Sequence, residues 1–123
     1  MKSHKDLDVW KKAVLMSARM YKILEDFPIE ERYGLSSQMK RASVSVASNI
    51  AEGAARQSGK EFVHFLFIAL GSASELDTQI EISKLIFRKE NFMEELDGIQ
   101  QETRDISKMI YGLINSVKRG YDV

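Results

Sequence analysis

A chain of 123 residues, 44% apolar and 29% charged, is long enough to bury a core of its own and too hydrophobic to be disordered. It has no cysteine, which excludes disulfides, zinc-thiolate sites and thiol nucleophiles, and its single proline and seven glycines are too few for a turn-rich all-β fold. Lysine and arginine balance aspartate and glutamate at 18 each, which argues against a strong general nucleic-acid binder. The balance is uneven, however: residues 1–60 hold 11 basic and 7 acidic side chains, and residues 61–123 hold 7 and 11. Either complementary helices pack against each other, or the basic half faces a partner. The longest apolar run, Phe65 to Leu70, is six residues against the roughly 18 of a membrane span. The first dozen residues lack the apolar stretch of a signal peptide, so a cytoplasmic location is expected.

The first predicted helix covers about residues 7–27. Leu7, Trp10, Val14, Ser17, Tyr21 and Leu24 alternate at spacings of three and four, which places them on one face. Pro28 ends the helix, because its ring disfavours helical geometry at Phe27 and its nitrogen carries no proton for the ladder. After a short link closing at Gly34, a second helix is predicted over about 36–54, with Ser36 or Ser37 as its cap. Its seam reads Leu35, Met39, Ala42, Val46, Asn49 and Gly53, flanked by Ser43, Ala47, Ile50 and Ala54. Side chains this small let neighbouring backbones approach closely. Asn49 is the odd residue: buried, its amide must find partners or cost a few kcal/mol. It either fixes the register of the core or belongs to a site, and the structural role is preferred because lone polar seam residues recur in bundles.

The chain then reverses through residues 52–61, EGAARQSGKE. Gly53 is a candidate helix terminator, and Ser58 with Glu61 has the spacing of a capping box. Arg56 and Lys60 flank the start of the next helix, where free N–H groups and the helix dipole favour anions. Together with Lys40 and Arg41, which lie off the second seam, they form the predicted nucleic-acid-binding face. The third helix, about 58–89, has the seam Phe62, Leu66, Ala69, Ala73, Leu76, Ile80, Ser83 and Phe87. Val63, Phe65, Phe67, Ile68 and Leu70 cover its other directions, and a helix apolar all round is buried all round. Phe62, Val63, Phe65, Leu66, Phe67, Ile68 and Leu70 are therefore the predicted subunit interface. Beyond Ala73 the outward side is expected to turn polar and acidic, at Glu75, Asp77 and Glu81.

Lys84, Arg88 and Lys89 crowd the end of that helix, and Glu90, Glu94, Glu95 and Asp97 the start of the next, each set matching the dipole it faces. Asn91 with Glu94 repeats the capping spacing. The fourth helix, about 91–118, carries a heptad line of Phe92, Leu96, Ile99, Thr103, Ile106, Ile110, Leu113 and Val117. Four helices with short links predict one all-α domain over residues 1–123, an up-down-up-down antiparallel four-helix bundle.

The segment from Phe27 to Gln79 resembles the four-helix-bundle proteins encoded within intervening sequences of 23S ribosomal RNA. The resemblance rests on Phe27-Pro28, Tyr33-Gly34-Leu35 with Gln38, Arg41-Ala42, Ser48-Asn49-Ile50-Ala51-Glu52-Gly53, and Gly71-Ser72 with Glu75-Leu76. Leu7-Asp8-Val9-Trp10-Lys11 is similar to that family's opening and Ile110 to Lys118 to its close, while Ser43 and Val44 depart from its pattern. It implies a ring-shaped homopentamer and no catalytic residues. More distantly the chain resembles the accessory bundle of diversity-generating retroelements, which partners a reverse transcriptase and binds nucleic acid.

Three functions follow as expectations. The first is a non-enzymatic homo-oligomeric scaffold contacting RNA or a nucleic-acid-processing protein. The second is a pure protein-interaction module. The third is a metal-binding bundle enzyme, suggested by Glu61-Phe62-Val63-His64, a single Glu-x-x-His where a di-iron bundle uses two. Nothing in the sequence assigns a catalytic residue, a metal ligand or a cofactor.

Overall fold

The computed structural model describes residues 1–88 and 91–120. Four helices carry the fold: α1 (Asp8–Leu24), α2 (Leu35–Ala54), α3 (Gly59–Ile86) and α4 (Met93–Lys118), with short 3-10 turns at His4–Asp6 and Ile29–Glu31. Each long helix packs against its two neighbours in chain order, and α4 closes back onto α1. The result is an antiparallel four-helix bundle, and among the described residues there is no strand.

The seams of α3 and α4 lie where their spacing places them. Leu66, Ala69, Ala73, Leu76 and Ile80 of α3 and Leu96, Ile99, Thr103, Ile106 and Ile110 of α4 are buried, and Phe92 seals the end of the core. Phe27, Phe87 and Phe92 meet there, with ring centroids 4.9–6.0 Å apart.

In α1 the buried face is only partly the predicted one: Leu7, Ser17 and Leu24 are buried, but Trp10, Val14 and Tyr21 are not. Val9, Ala13, Met16, Met20 and Ile23 point inward, while Val14 and Tyr21 of the predicted stripe are exposed and Trp10 packs at the margin. Both lines have the same three-four spacing and lie about one residue, or 100°, apart on the helix. The choice follows from chemistry: Tyr and Trp carry polar atoms that need partners once buried, whereas Met fills irregular space at no such cost. In α2 a similar turn brings Ile50 into the core and leaves Asn49 half-buried, correcting its expected burial. Its amide donates to the Ser45 carbonyl and hydroxyl, both at 2.9 Å, and the Ser45 hydroxyl meets that of Ser72 at 2.8 Å. A buried Asn could satisfy few of its hydrogen bonds, so the aliphatic neighbour takes the interior.

The polar groups that are fully buried lie elsewhere. Ser17 and Ser43 share a hydrogen bond of 3.1 Å between α1 and α2, and the Ser43 hydroxyl donates to the Lys40 carbonyl at 3.0 Å. Gln100 of α4, only 3% exposed, donates to Asp77 and Glu81 of α3 at 2.8 and 3.0 Å and accepts from Lys84 at 3.0 Å. With the Lys84–Asp97 pair at 2.6 Å, this joins the facing ends of α3 and α4.

The helix ends differ from expectation in four places. α1 stops at Leu24, tightening into bonds from Asp26 and Phe27 to the carbonyls of Ile23 and Leu24 before Pro28. α2 begins at Leu35 with Gly34 as a cap that offers no side chain, so neither Ser36 nor Ser37 caps it. α4 follows Phe92, also without a side-chain cap, so the Asn91–Glu94 pattern does not form. Gly53 lies inside α2 rather than ending it: a Cβ there would sit 2.8 Å from the Phe65 Cβ and 3.1 Å from the Phe62 carbonyl oxygen. Here α2 and α3 approach closely enough that no side chain fits between them. Ser58 does cap α3, accepting from the Glu61 N–H at 3.2 Å. Lys89 and Glu90, named in the charge pattern between α3 and α4, lie outside the described residues.

Candidate nucleic-acid and assembly surfaces

The four basic candidates do not converge. Lys40 and Arg41 sit near the start of α2 and Arg56 just past its end, a rise of about 20 Å at 1.5 Å per residue. A straight helix cannot bring them together, so they form two pairs at opposite ends of the bundle. Lys40 is half-buried with its ammonium 5.1 Å from the centre of the Tyr21 ring, and Arg41 is exposed.

At the other end, Arg56 lies 4.7 Å from the Phe65 ring centre and 3.0 Å from the Glu52 carboxylate, its i,i+4 partner. Lys60 is exposed on the first turn of α3. The antiparallel topology adds Lys118, from the last turn of α4, with its ammonium 5.4 Å from the Phe67 ring centre. Gly59, Lys60, Val63 and Lys118 line a shallow groove of about 270 Å³. Three cations and two aromatic rings thus gather around the start of α3. That start already has an anion of its own, because the Ser58 hydroxyl donates to the Glu61 carboxylate at 3.2 Å. Sequence reasoning missed Lys118, since only the packing of α4 beside α3 places residue 118 near residue 60.

The predicted subunit interface divides. Phe62, Leu66 and Leu70 belong to the core of the bundle and are unavailable to a partner, because α3 packs against both α2 and α4 through this seam. Val63 and Phe65 are half-buried at its flanks. Phe67 and Ile68 are exposed, and the apolar face does not stop at Ala73: Ile82, Leu85 and Ile86 extend it, all five being 40–63% exposed. Leu85 and Ile86 follow Phe67 and Ile68 by 18 residues, five full turns, so both pairs lie in line on one side. Gly71, Ser74, Glu75 and Thr78 fill the exposed space between them. Asp77 is not part of an acidic outer face but is half-buried against Gln100 and Arg104.

Glu61 is engaged at the cap, and His64 is exposed with its ring edge-on to Phe65. Among the described residues no three His, Asp or Glu side chains converge as a metal site would require. Among them, too, no helix is long and apolar enough to cross a membrane. Tyr33 is 90% exposed.

An all-α antiparallel bundle whose outer features are an apolar stripe and scattered cations belongs to the class of small helical-bundle proteins. The family model described as 23S rRNA-intervening sequence protein matches residues 5–112, and the chain belongs to that family. Among solved structures, it is similar to a protein of unknown function from the S23 ribosomal protein family of Bacteroides thetaiotaomicron VPI-5482. The two share 26% sequence identity over 86% of this chain and 97% of the other, with a TM-score of 0.75. No curated protein matches it.

Proposed function

We propose that the protein is a non-enzymatic, homo-oligomeric scaffold of the cytoplasm whose assembled form contacts RNA or a nucleic-acid-processing protein. The observation that carries this reading is the exposed apolar side chains on one side of α3, Phe67 and Ile68 near its start and Ile82, Leu85 and Ile86 near its end. A helix face of this kind is stable in water when another surface covers it. A second copy is the occupant that the family resemblance implies, with five copies in a ring.

The RNA contact rests on the cations around the start of α3. Arg56, Lys60 and Lys118 can pair with phosphates. One subunit makes few contacts, so affinity accrues from repetition around the oligomer. Neutralising Arg56, Lys60 and Lys118 to glutamine is expected to weaken binding to single-stranded RNA and to flatten its salt dependence, with the oligomeric mass unchanged. Binding measured at two salt concentrations checks this. Equal binding by both proteins would move the contact to the Lys40–Arg41 end, and no binding by either would favour a protein-interaction module.

A further inference from the structure

The two helix starts flanking the basic candidates are not alike. α3 has a serine cap and a carboxylate in its first turn, whereas α2 follows Gly34 with no side-chain cap. Hydrogen bonding in α2 begins with the Gln38 N–H to the Gly34 carbonyl, so the N–H groups of Leu35, Ser36 and Ser37 have no helical partner. A pocket of about 290 Å³ opens beside this start, walled on its apolar side by Leu24, Phe27 and Pro28 and on its polar side by Arg32, Ser36 and Lys40.

Ser36 is the telling residue. It is 5% exposed, and the surface it keeps lies in the lining of the pocket. Its hydroxyl makes no hydrogen bond with the described residues, although the other buried serines, Ser17, Ser43 and Ser83, all do. The residue is buried, but its hydroxyl opens without a protein partner onto a cavity that Arg32 and Lys40 also line. Neither Arg32 nor Lys40 makes an ion pair among the described residues. The opposing charges are Glu25, which also lines the pocket, and Glu31, whose carboxylate lies 3.7 Å from where a Cβ on Gly34 would stand. Glu31 makes no hydrogen bond to the open N–H groups.

We propose that this pocket binds a phosphate monoester. The phosphoryl oxygens accept from the Ser36 hydroxyl and the open N–H groups of α2, and pair with Arg32 and Lys40. The apolar wall of Leu24, Phe27 and Pro28 takes the organic part of the ligand. The site is separate from the surface around the start of α3, and it stands or falls without the RNA contact proposed there.

Amide spectra of the full-length protein titrated with inorganic phosphate, against chloride of matched ionic strength, test it. Phosphate is expected to shift the amides of Leu35, Ser36 and Ser37 beyond any shift with chloride. Arg32→Gln and Ser36→Ala are expected to weaken the effect by about tenfold each, and Glu25→Gln to strengthen it. Ser36→Ala removes a hydroxyl that makes no bond within the protein, so thermal stability stays near that of the wild type, which separates lost binding from lost folding. Equal shifts with phosphate and chloride, or shifts unmoved by Arg32→Gln, would overturn the proposal. A 5′-phosphorylated hexauridylate and its 5′-hydroxyl counterpart then distinguish the source. Tighter binding of the phosphorylated form than of phosphate itself identifies an RNA end, and equal binding identifies a free monoester.

Discussion

Replacing Phe67 and Ile68 by glutamate is expected to leave the bundle folded and to dissolve the assembly. Both side chains are substantially exposed in the single chain, so the folded monomer loses little, within about 0.5 kcal/mol for ordinary surface positions. The cation-over-ring contact from Lys118 to Phe67 is lost, but an exposed contact of that kind is worth only about 0.5–1 kcal/mol. In an assembly that covers the stripe, these two side chains, already more than half buried in the monomer, contribute on the order of 1–3 kcal/mol per interface, a factor of roughly ten to a hundred in affinity. Two carboxylates buried there would cost more still. Far-ultraviolet circular dichroism should therefore be unchanged while the sedimenting mass falls to the 14.1 kDa of one chain. Retention of the native mass would place the interface elsewhere, and loss of helicity would show that the two side chains serve the monomer. Leu85→Glu, five turns along the same side, tests whether the far half of the stripe takes part.

Gly53→Ala is expected to destabilise the bundle, though alanine is ordinarily the better helix former by about 1 kcal/mol. The added methyl would stand 2.8 Å from the Phe65 Cβ, 3.0 Å from the Phe62 ring and 3.1 Å from the Phe62 carbonyl oxygen. The ring can rotate, but a Cβ and a carbonyl oxygen move only with the backbone, so α2 and α3 must separate. Overpacking of this kind costs about 1–3 kcal/mol. A net loss of roughly 1–2 kcal/mol lowers Tm by several degrees in a domain of this size. Gly112→Ala is the control. Nothing lies within 4 Å of the corresponding position on the exposed side of α4, so the same chemical change should stabilise by up to about 1 kcal/mol. Thermal melts of the two variants should shift in opposite directions, and a Gly53→Ala protein as stable as wild type would refute the close approach.

The contrast between helices explains what could be read in advance. In α4 one heptad line located the core as far as Ile110, and in α3 the seam from Phe62 to Ser83 did so although that helix is apolar on other sides too. α1 offers two stripes of equal period, and only the cost of burying Tyr21 and Trp10 selects between them. Asn49 and Ile50 pose the same problem in α2, where one step around the helix exchanges an amide for an aliphatic side chain. The role of Gly53 was hidden for a different reason. A glycine near the end of a helix has the same local signature whether it terminates the helix or admits a neighbour. The placement of the basic candidates was hidden because sequence proximity to a turn says nothing of the length of the helix between. Lys40 and Arg41 lie at the opposite end from Arg56 and Lys60, and Lys118 joins the latter pair only through the order in which the helices pack. The apolar excess of α3 was legible, but the share that the monomer itself consumes at Phe62, Leu66 and Leu70 was not.

Coverage of the stripe on α3 by further copies of the chain is tested most directly by the mass of the native protein. Light scattering coupled to size exclusion at micromolar concentration should give one species at a whole multiple of 14.1 kDa, fivefold if the ring implied by the family resemblance forms. A stable, fully helical species of 14.1 kDa would contradict it.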